Sequence, residues 1–175
     1  MKIENILEIY FPNLKIKNFI DIGAGTGQHT KEVYKYCNGN PYILEGDAEN
    51  NYLKNKEAKK VKWNSSADDF NYYHTFTKLK DHHAQHFPQA ILIDCDNIQL
   101  PEDLKFDLIF SHASYGYHYP ISTYYDFIQK HSHKDTLIIV DIRNFKNQIK
   151  TDECFKIVKT YAKNRKWHRC LIELV

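Results

Sequence analysis

No stretch of the chain approaches the ~20 consecutive apolar residues that a membrane-spanning helix needs. Cysteine is sparse and scattered: Cys37, Cys95, Cys154 and Cys170 include no CxxC pair, which excludes a zinc ribbon by spacing. A chain of 175 residues can build a core and has no need of a disulfide framework. Charge of one sign is missing too. The 24 Lys and Arg against 22 Asp and Glu leave a net +2, too weak a field for a large nucleic-acid footprint. There is no internal repeat, no low-complexity tract and no Pro/Gly-rich linker, so residues 1–175 read as one domain. The first residues mix acids and lysines with apolar side chains, unlike a signal peptide, and the expected location is the cytosol.

What the chain does hold is a set of short apolar runs of strand length: Asn18–Ile22, Tyr42–Leu44, Ala90–Ile93, Phe106–Phe110 and Leu137–Val140. Several lack the polar alternation of a half-wet strand, which marks a parallel sheet covered on both faces. Helices are expected between them, over Ile3–Tyr10, Gln28–Tyr36 and Tyr124–Lys130, with another opened by a Ser66–Asp69 cap and running toward His86. The tail reads as an antiparallel hairpin around a polar turn at Ala162–Lys166, with a helix over Glu153–Asn164 as the competitor. The Lys54–Lys62 segment reads as a solvated face.

The most informative stretch is Asp21-Ile22-Gly23-Ala24-Gly25-Thr26-Gly27. A strand ends in an acid and turns through alternating glycines into a helix whose free N–H groups point at the bend. Dinucleotide-binding loops want G-x-G-x-x-G, and the position that needs the third glycine is here Gln28. A diphosphate gains little from an acid such as Asp21 beside it. S-adenosylmethionine (SAM) carries an ammonium and a sulfonium and no phosphate, so the acid favours SAM. Glu45, at the tip of the second strand, can accept both hydroxyls of a ribose, with Asp47 as a nearby competitor. Asp96, at the end of the third strand with Asn97 beside it, can accept from an adenine amine. All three acids fall at the carboxyl ends of successive strands, where open α/β sheets bind ligands.

These residues carry a resemblance. The chain is similar to the class I SAM-dependent methyltransferases: Asp21–Gly27 matches their first motif, Glu45 their ribose acid, and Asp96, Leu100-Pro101 and Phe106–Ile109 the later motif order. The resemblance covers nearly the whole length. It implies an α/β, Rossmann-like, mostly parallel seven-stranded sheet with helices on both faces and an antiparallel C-terminal strand. It implies SAM as cofactor, held by Asp21, Gly23, Ala24, Gly25, Gly27, Glu45, Asp96, Asn97 and Ser111, and no metal. The chain shows no separate substrate-recognition domain, so loops or a second subunit, as in a homo-oligomer, are expected to grip the acceptor.

In that fold the segment after the fourth strand faces the acceptor. Here it is Ser111-His112-Ala113-Ser114-Tyr115-Gly116-Tyr117-His118-Tyr119-Pro120, dense in Tyr and His. His118, then His112, is the expected general base, a role worth about 10²–10⁴ in rate. Tyr115, Tyr117 and Tyr119 are expected to wall the substrate, Arg143 to bind an anionic group on it, and Asp141 to hold a histidine tautomer. No Asn/Asp-Pro-Pro-Tyr/Phe run follows this strand, unlike the amino-methylating DNA enzymes. The Tyr-His-Tyr-Pro run is similar to one in small bacterial methyltransferases acting on surface sugars. The expected reaction is O-methylation of a small-molecule or sugar hydroxyl. A non-catalytic SAM sensor or partner subunit, and an RNA or protein methyltransferase, are the alternatives. The His82–His86 pair has zinc spacing but reads as a solvated helix face, and the basic residues Lys163, Arg165, Lys166 and Arg169 as a solubilising turn. The Tyr72-Tyr73 and Tyr124-Tyr125 pairs either line a groove or put one ring each in the core.

Overall fold

Each apolar run of the sequence becomes a strand in the computed structural model, which describes residues 1–46, 76–117, 119–143 and 154–175. The strands are β1 (Ile16–Ile22), β2 (Cys37–Glu45), β3 (Ile91–Asp94), β4 (Phe106–Ser111), β5 (Ser132–Arg143), β6 (Phe155–Lys163) and β7 (Trp167–Leu174). The helices are α1 (Ile3–Tyr10), α2 (Gln28–Tyr34), α3 (Phe76–His86) and α4 (Tyr125–His131), the last preceded by a 3-10 turn at Ile121–Tyr124.

The seven strands form one sheet in the order β3-β2-β1-β4-β5-β7-β6. Pairings from β3 through β5 are parallel, and β7 pairs antiparallel with both β5 and β6. Among the described strands β7 alone therefore runs against the rest. The order reverses between β1 and β4, so their carboxyl ends flank the crevice that ligands of such sheets use.

Alternating side chains on the central strands feed two apolar layers. On one face Phe19, Leu108, Phe110 and Ile139 pack with Ile3, Ile6 and Leu7 of α1 and Val33 of α2. On the other, Ile20, Ile22, Ile109 and Val140 pack with Ile121 and with Ile128 of α4. Burying each such side chain contributes about 1.5–3 kcal/mol against the entropy of ordering the chain. The i, i+3, i+4 spacing of Ile3, Ile6 and Leu7 gives α1 its apolar stripe, and Pro12 follows its end.

The tail is the hairpin, not the helix. Phe155–Lys163 is rich in β-branched and aromatic residues, and Asn164 Oδ1 accepts the N–H groups of Lys166 and Trp167 to turn the chain. Helix α2 stops at Tyr34, earlier than the sequence pattern, because β2 begins at Cys37. Strand β5 is longer than its apolar run, since backbone pairing with Phe106 extends it back to Ser132 through polar residues. The Ser66–Asp69 cap, Lys54–Lys62, Asp47 and the Tyr72-Tyr73 pair lie outside the described residues. Among the described residues, no helix is long and apolar enough to cross a membrane.

Candidate functional site

The bend after β1 places Gly23, Gly25 and Gly27 all at positive φ (77°, 56° and 74°). The Gly23 N–H donates to the Leu44 carbonyl (2.8 Å) and ties the bend to β2. Space as well as torsion demands glycine at two of these positions. A Cβ on Gly23 would lie 2.0 Å from Ser114 Oγ, and one on Gly27 would lie 2.7 Å from His83 Cε1. At Gly25 a Cβ would meet nothing within 4 Å among the described residues, so on their side the bend is open there. The Gly25 N–H donates to Glu45 Oε1, and its carbonyl lies 2.9 Å from His83 Nε2.

Two carboxyls sit beneath this bend, on adjacent strand ends. Asp21 is 1% exposed and accepts a hydrogen bond from Thr30 Oγ1 (2.7 Å); its Oδ1 has no partner among the described residues. Burial pushes its carboxyl up to about 8, against the Thr30 bond, which lowers it, and with help from the Glu45 charge. Glu45 is pushed up to about 7, again by desolvation, with the Gly25 and Gly46 N–H groups opposing. Near neutral pH the pair is therefore short of its full two negative charges. An arriving cation restores them, whereas an arriving anion keeps the protons in place and gains no charge pairing.

At the end of β3, the Cys95 N–H donates to the Glu45 carbonyl (2.7 Å), joining the two strand ends. The Asp96 N–H donates to Asp94 Oδ1 (2.9 Å), and the side chains of Asp96 and Asn97 stand exposed at the rim. The rings of His82 and His86 are 4.6 Å apart, and no group of three metal-ligating side chains forms around them among the described residues.

The segment after β4 corrects several expectations. Ser111 does not offer its hydroxyl to a ligand: Oγ donates to the Ile22 carbonyl (2.7 Å) and accepts the Tyr115 N–H (2.8 Å), fully buried. It ties β1, β4 and the loop together. Tyr115 does not wall a substrate. It is 0% exposed in the core, and its hydroxyl donates to the Ile121 carbonyl (2.6 Å). Asp141 does not hold a histidine. Arg169 grips it with two bonds of 2.7 Å, and a third guanidinium N–H reaches the Met1 carbonyl (2.8 Å). Asp141 Oδ2 also accepts the Ala113 N–H (3.2 Å), which holds Ala113 at φ 58°, a torsion that strains a residue with a Cβ.

Other expected residues keep some solvent access. Tyr117 is half-buried with the Arg143 guanidinium 5.0 Å above its ring, and Tyr119 and Arg143 are exposed. His112 is half-buried and stacks on His29 of α2, with ring centroids 4.1 Å apart. Burial, then the neighbouring His29, lowers His112 to about 4, and burial lowers His29 as well, so both rings are neutral near pH 7. His118 lies outside the described residues.

Sequence reasoning passed over Thr30, His29 and His83, and it misread Arg169, which is no solubilising turn charge but a 3% exposed residue inside β7 bonded to Asp141. Arg169 meets Asp141 as a cross-strand pair only through the register of β7 on β5.

No protein-family model matches the chain, and no curated protein matches it in sequence. Solved structures do match. A methyltransferase from Pyrococcus furiosus aligns with a TM-score of 0.57 at 12% identity, over 97% of this chain and 79% of that one. A ribosomal protein methylase from Lactobacillus delbrueckii subsp. bulgaricus aligns at 0.56 and 16% identity, over 96% and 74%. An amino pentose methyltransferase from Micromonospora echinaspora, solved with SAM bound, aligns at 0.53 and 11% identity, over 92% of this chain and 56% of that one. At such identities the likeness is one of fold.

Proposed function

We propose that this chain, built on the fold of the SAM-dependent methyltransferases, moves the methyl group of SAM to a hydroxyl of a small molecule, with sugars as the leading class. The observation that carries the reading is the Asp21–Glu45 pair under the bend. Both acids are held partly protonated by desolvation, and among the described residues Asp21 Oδ1 has no partner and the bend is open at Gly25. That is a receptor for a cationic nucleoside rather than for a diphosphate.

When bound, SAM supplies a methyl carbon activated by its sulfonium. The chain's own residues then divide the remaining work. Asp21 supplies negative charge from below, and Glu45 offers its oxygens to ribose hydroxyls. Asp96 and Asn97 serve the adenine edge. His112, neutral across the physiological range, accepts a hydrogen bond from the acceptor hydroxyl and orients its lone pair; as a base it is weak, since burial holds it down to about 4. His118 is the first choice of general base in the proposal, as the sequence order suggests. Tyr117, Tyr119 and Arg143 form the entrance for the acceptor. Holding donor and acceptor together supplies most of the rate, as in any reaction where positioning replaces solvent. On this reading the chain is one SAM-binding domain acting in the cytosol.

A second reading, a SAM-binding sensor or partner subunit without chemistry, has one observation in its favour. Ser111, Tyr115 and Asp141, three residues expected around the cofactor and acceptor, are occupied by structural bonds. Incubation with methyl-labelled SAM and separate panels of sugars, small phenols, RNA and protein distinguishes these cases. Label on a sugar or phenol oxygen with release of demethylated cofactor is the expected result. Label on RNA or protein alone moves the acceptor class, and tight SAM binding with no label anywhere selects the sensor.

A further inference from the structure

Gly25 is the open peptide of the bend, and side chains from two other elements take both of its polar groups. Glu45 of β2 accepts its N–H, and His83 of α3 lies against its carbonyl at 2.9 Å. A carbonyl can only accept, so Nε2 of His83 carries the hydrogen. The ring is 2% exposed and fills space that Gly27 leaves by lacking a Cβ, since a Cβ there would stand 2.7 Å from His83 Cε1. The imidazole is thus seated in the bend.

We infer that His83 is a positioning residue for the cofactor bend, fixing the Gly25 peptide through its Nε2–H so that the backbone is already shaped when the ligand arrives. The inference rests on the proposed SAM reading for its purpose, and on the geometry alone for the contact. A loop with glycine at three of five positions is entropically expensive to order. If that ordering were left to the binding step, affinity would fall; done in the folded chain, it does not. Glu45 cannot do this alone. Its Oε1 takes the Gly25 N–H and its Oε2 the Gly46 N–H (3.3 Å), the same oxygens that ribose hydroxyls would share. As those oxygens turn to the ligand, the bond from His83 keeps the Gly25 peptide in place.

The test uses His83→Gln, His83→Asn and His83→Phe in the full chain. Glutamine places an amide N–H about where Nε2 stands, asparagine is too short, and phenylalanine keeps a ring without a donor. With calorimetric titration of SAM, the Phe and Asn variants should bind roughly fivefold to tenfold more weakly than the parent, as for one lost neutral hydrogen bond. The Gln variant should recover most of that loss. Equal affinity for all four proteins, or a Gln variant as weak as Asn while still folded, overturns the inference. Nitrogen NMR of the parent gives a readout independent of SAM. His83 should show a protonated Nε2, and amide exchange at Gly25 should quicken in the Asn variant. A hydrogen on Nδ1 alone, or unchanged exchange, contradicts the contact. If the folded parent binds no SAM, the proposed function fails, while the NMR result still decides the role of His83.

Discussion

Replacing Asp21 by asparagine should make the unliganded protein progressively more stable than its parent as pH rises. The Asp21 carboxyl titrates at about 8 in the folded chain against an ordinary value of 3.8, chiefly because burial penalises its charge. Between those values the folded chain keeps a proton that the unfolded chain has released, so stability falls with rising pH through that window. From pH 6 to pH 9 ionisation favours the unfolded carboxyl by about 4 kcal/mol and the folded one by about 1 kcal/mol. The parent therefore loses about 3 kcal/mol that Asp21→Asn does not lose. Constant effects of the substitution, such as an amide N–H short of an acceptor beside Thr30, cancel in this difference. For a chain of this size the gap in melting temperature between variant and parent should widen by roughly 6–12 °C between pH 6 and pH 9. Thermal melts of both proteins at equal ionic strength measure it. A gap that stays constant, or narrows, would show that Asp21 is ionised throughout, and the argument for a charge-starved pocket would fall with it.

Other perturbations probe the rest of the site. SAM should bind more tightly as pH rises from 6 to 9, with protons released from Asp21 and Glu45; calorimetry in buffers of different ionisation enthalpy counts those protons, and none released refutes the coupling. Arg169→Met strands the buried Asp141 charge and should cost about 3–5 kcal/mol in urea denaturation, with much of it regained when Asp141→Leu is added. A double variant no better than the single one would show that the pair is not acting as a unit. Ala113→Gly removes the left-handed strain at φ 58° and should stabilise the fold by roughly 0.5–1 kcal/mol; destabilisation would mean that the methyl group packs usefully there.

The parts of this architecture that local pattern controls were legible in the sequence. Apolar runs marked the strands, and the spacing of Gly23, Gly25 and Gly27 after Asp21 marked the bend. The rest depends on contacts between distant segments. Ser111 and Tyr115 look like site residues because they follow a strand end, but the left-handed turn at Ala113 redirects the loop and sends Tyr115 into the core. Asp141 looked available to a histidine because its partner, Arg169, lies 28 residues away and meets it only through the register of β5 and β7. Thr30 and His83 are ordinary helix residues in sequence; only the packing of α2 and α3 against the bend brings them to Asp21 and Gly25.

Direct competition between two cofactors reaches the central claim with the fewest assumptions. The folded protein should take up SAM in a calorimetric titration at pH 8, weaken markedly when Asp21 becomes asparagine, and give no heat with NAD at the same concentration. Binding of NAD in place of SAM, or SAM affinity indifferent to Asp21, would contradict a pocket built to receive positive charge.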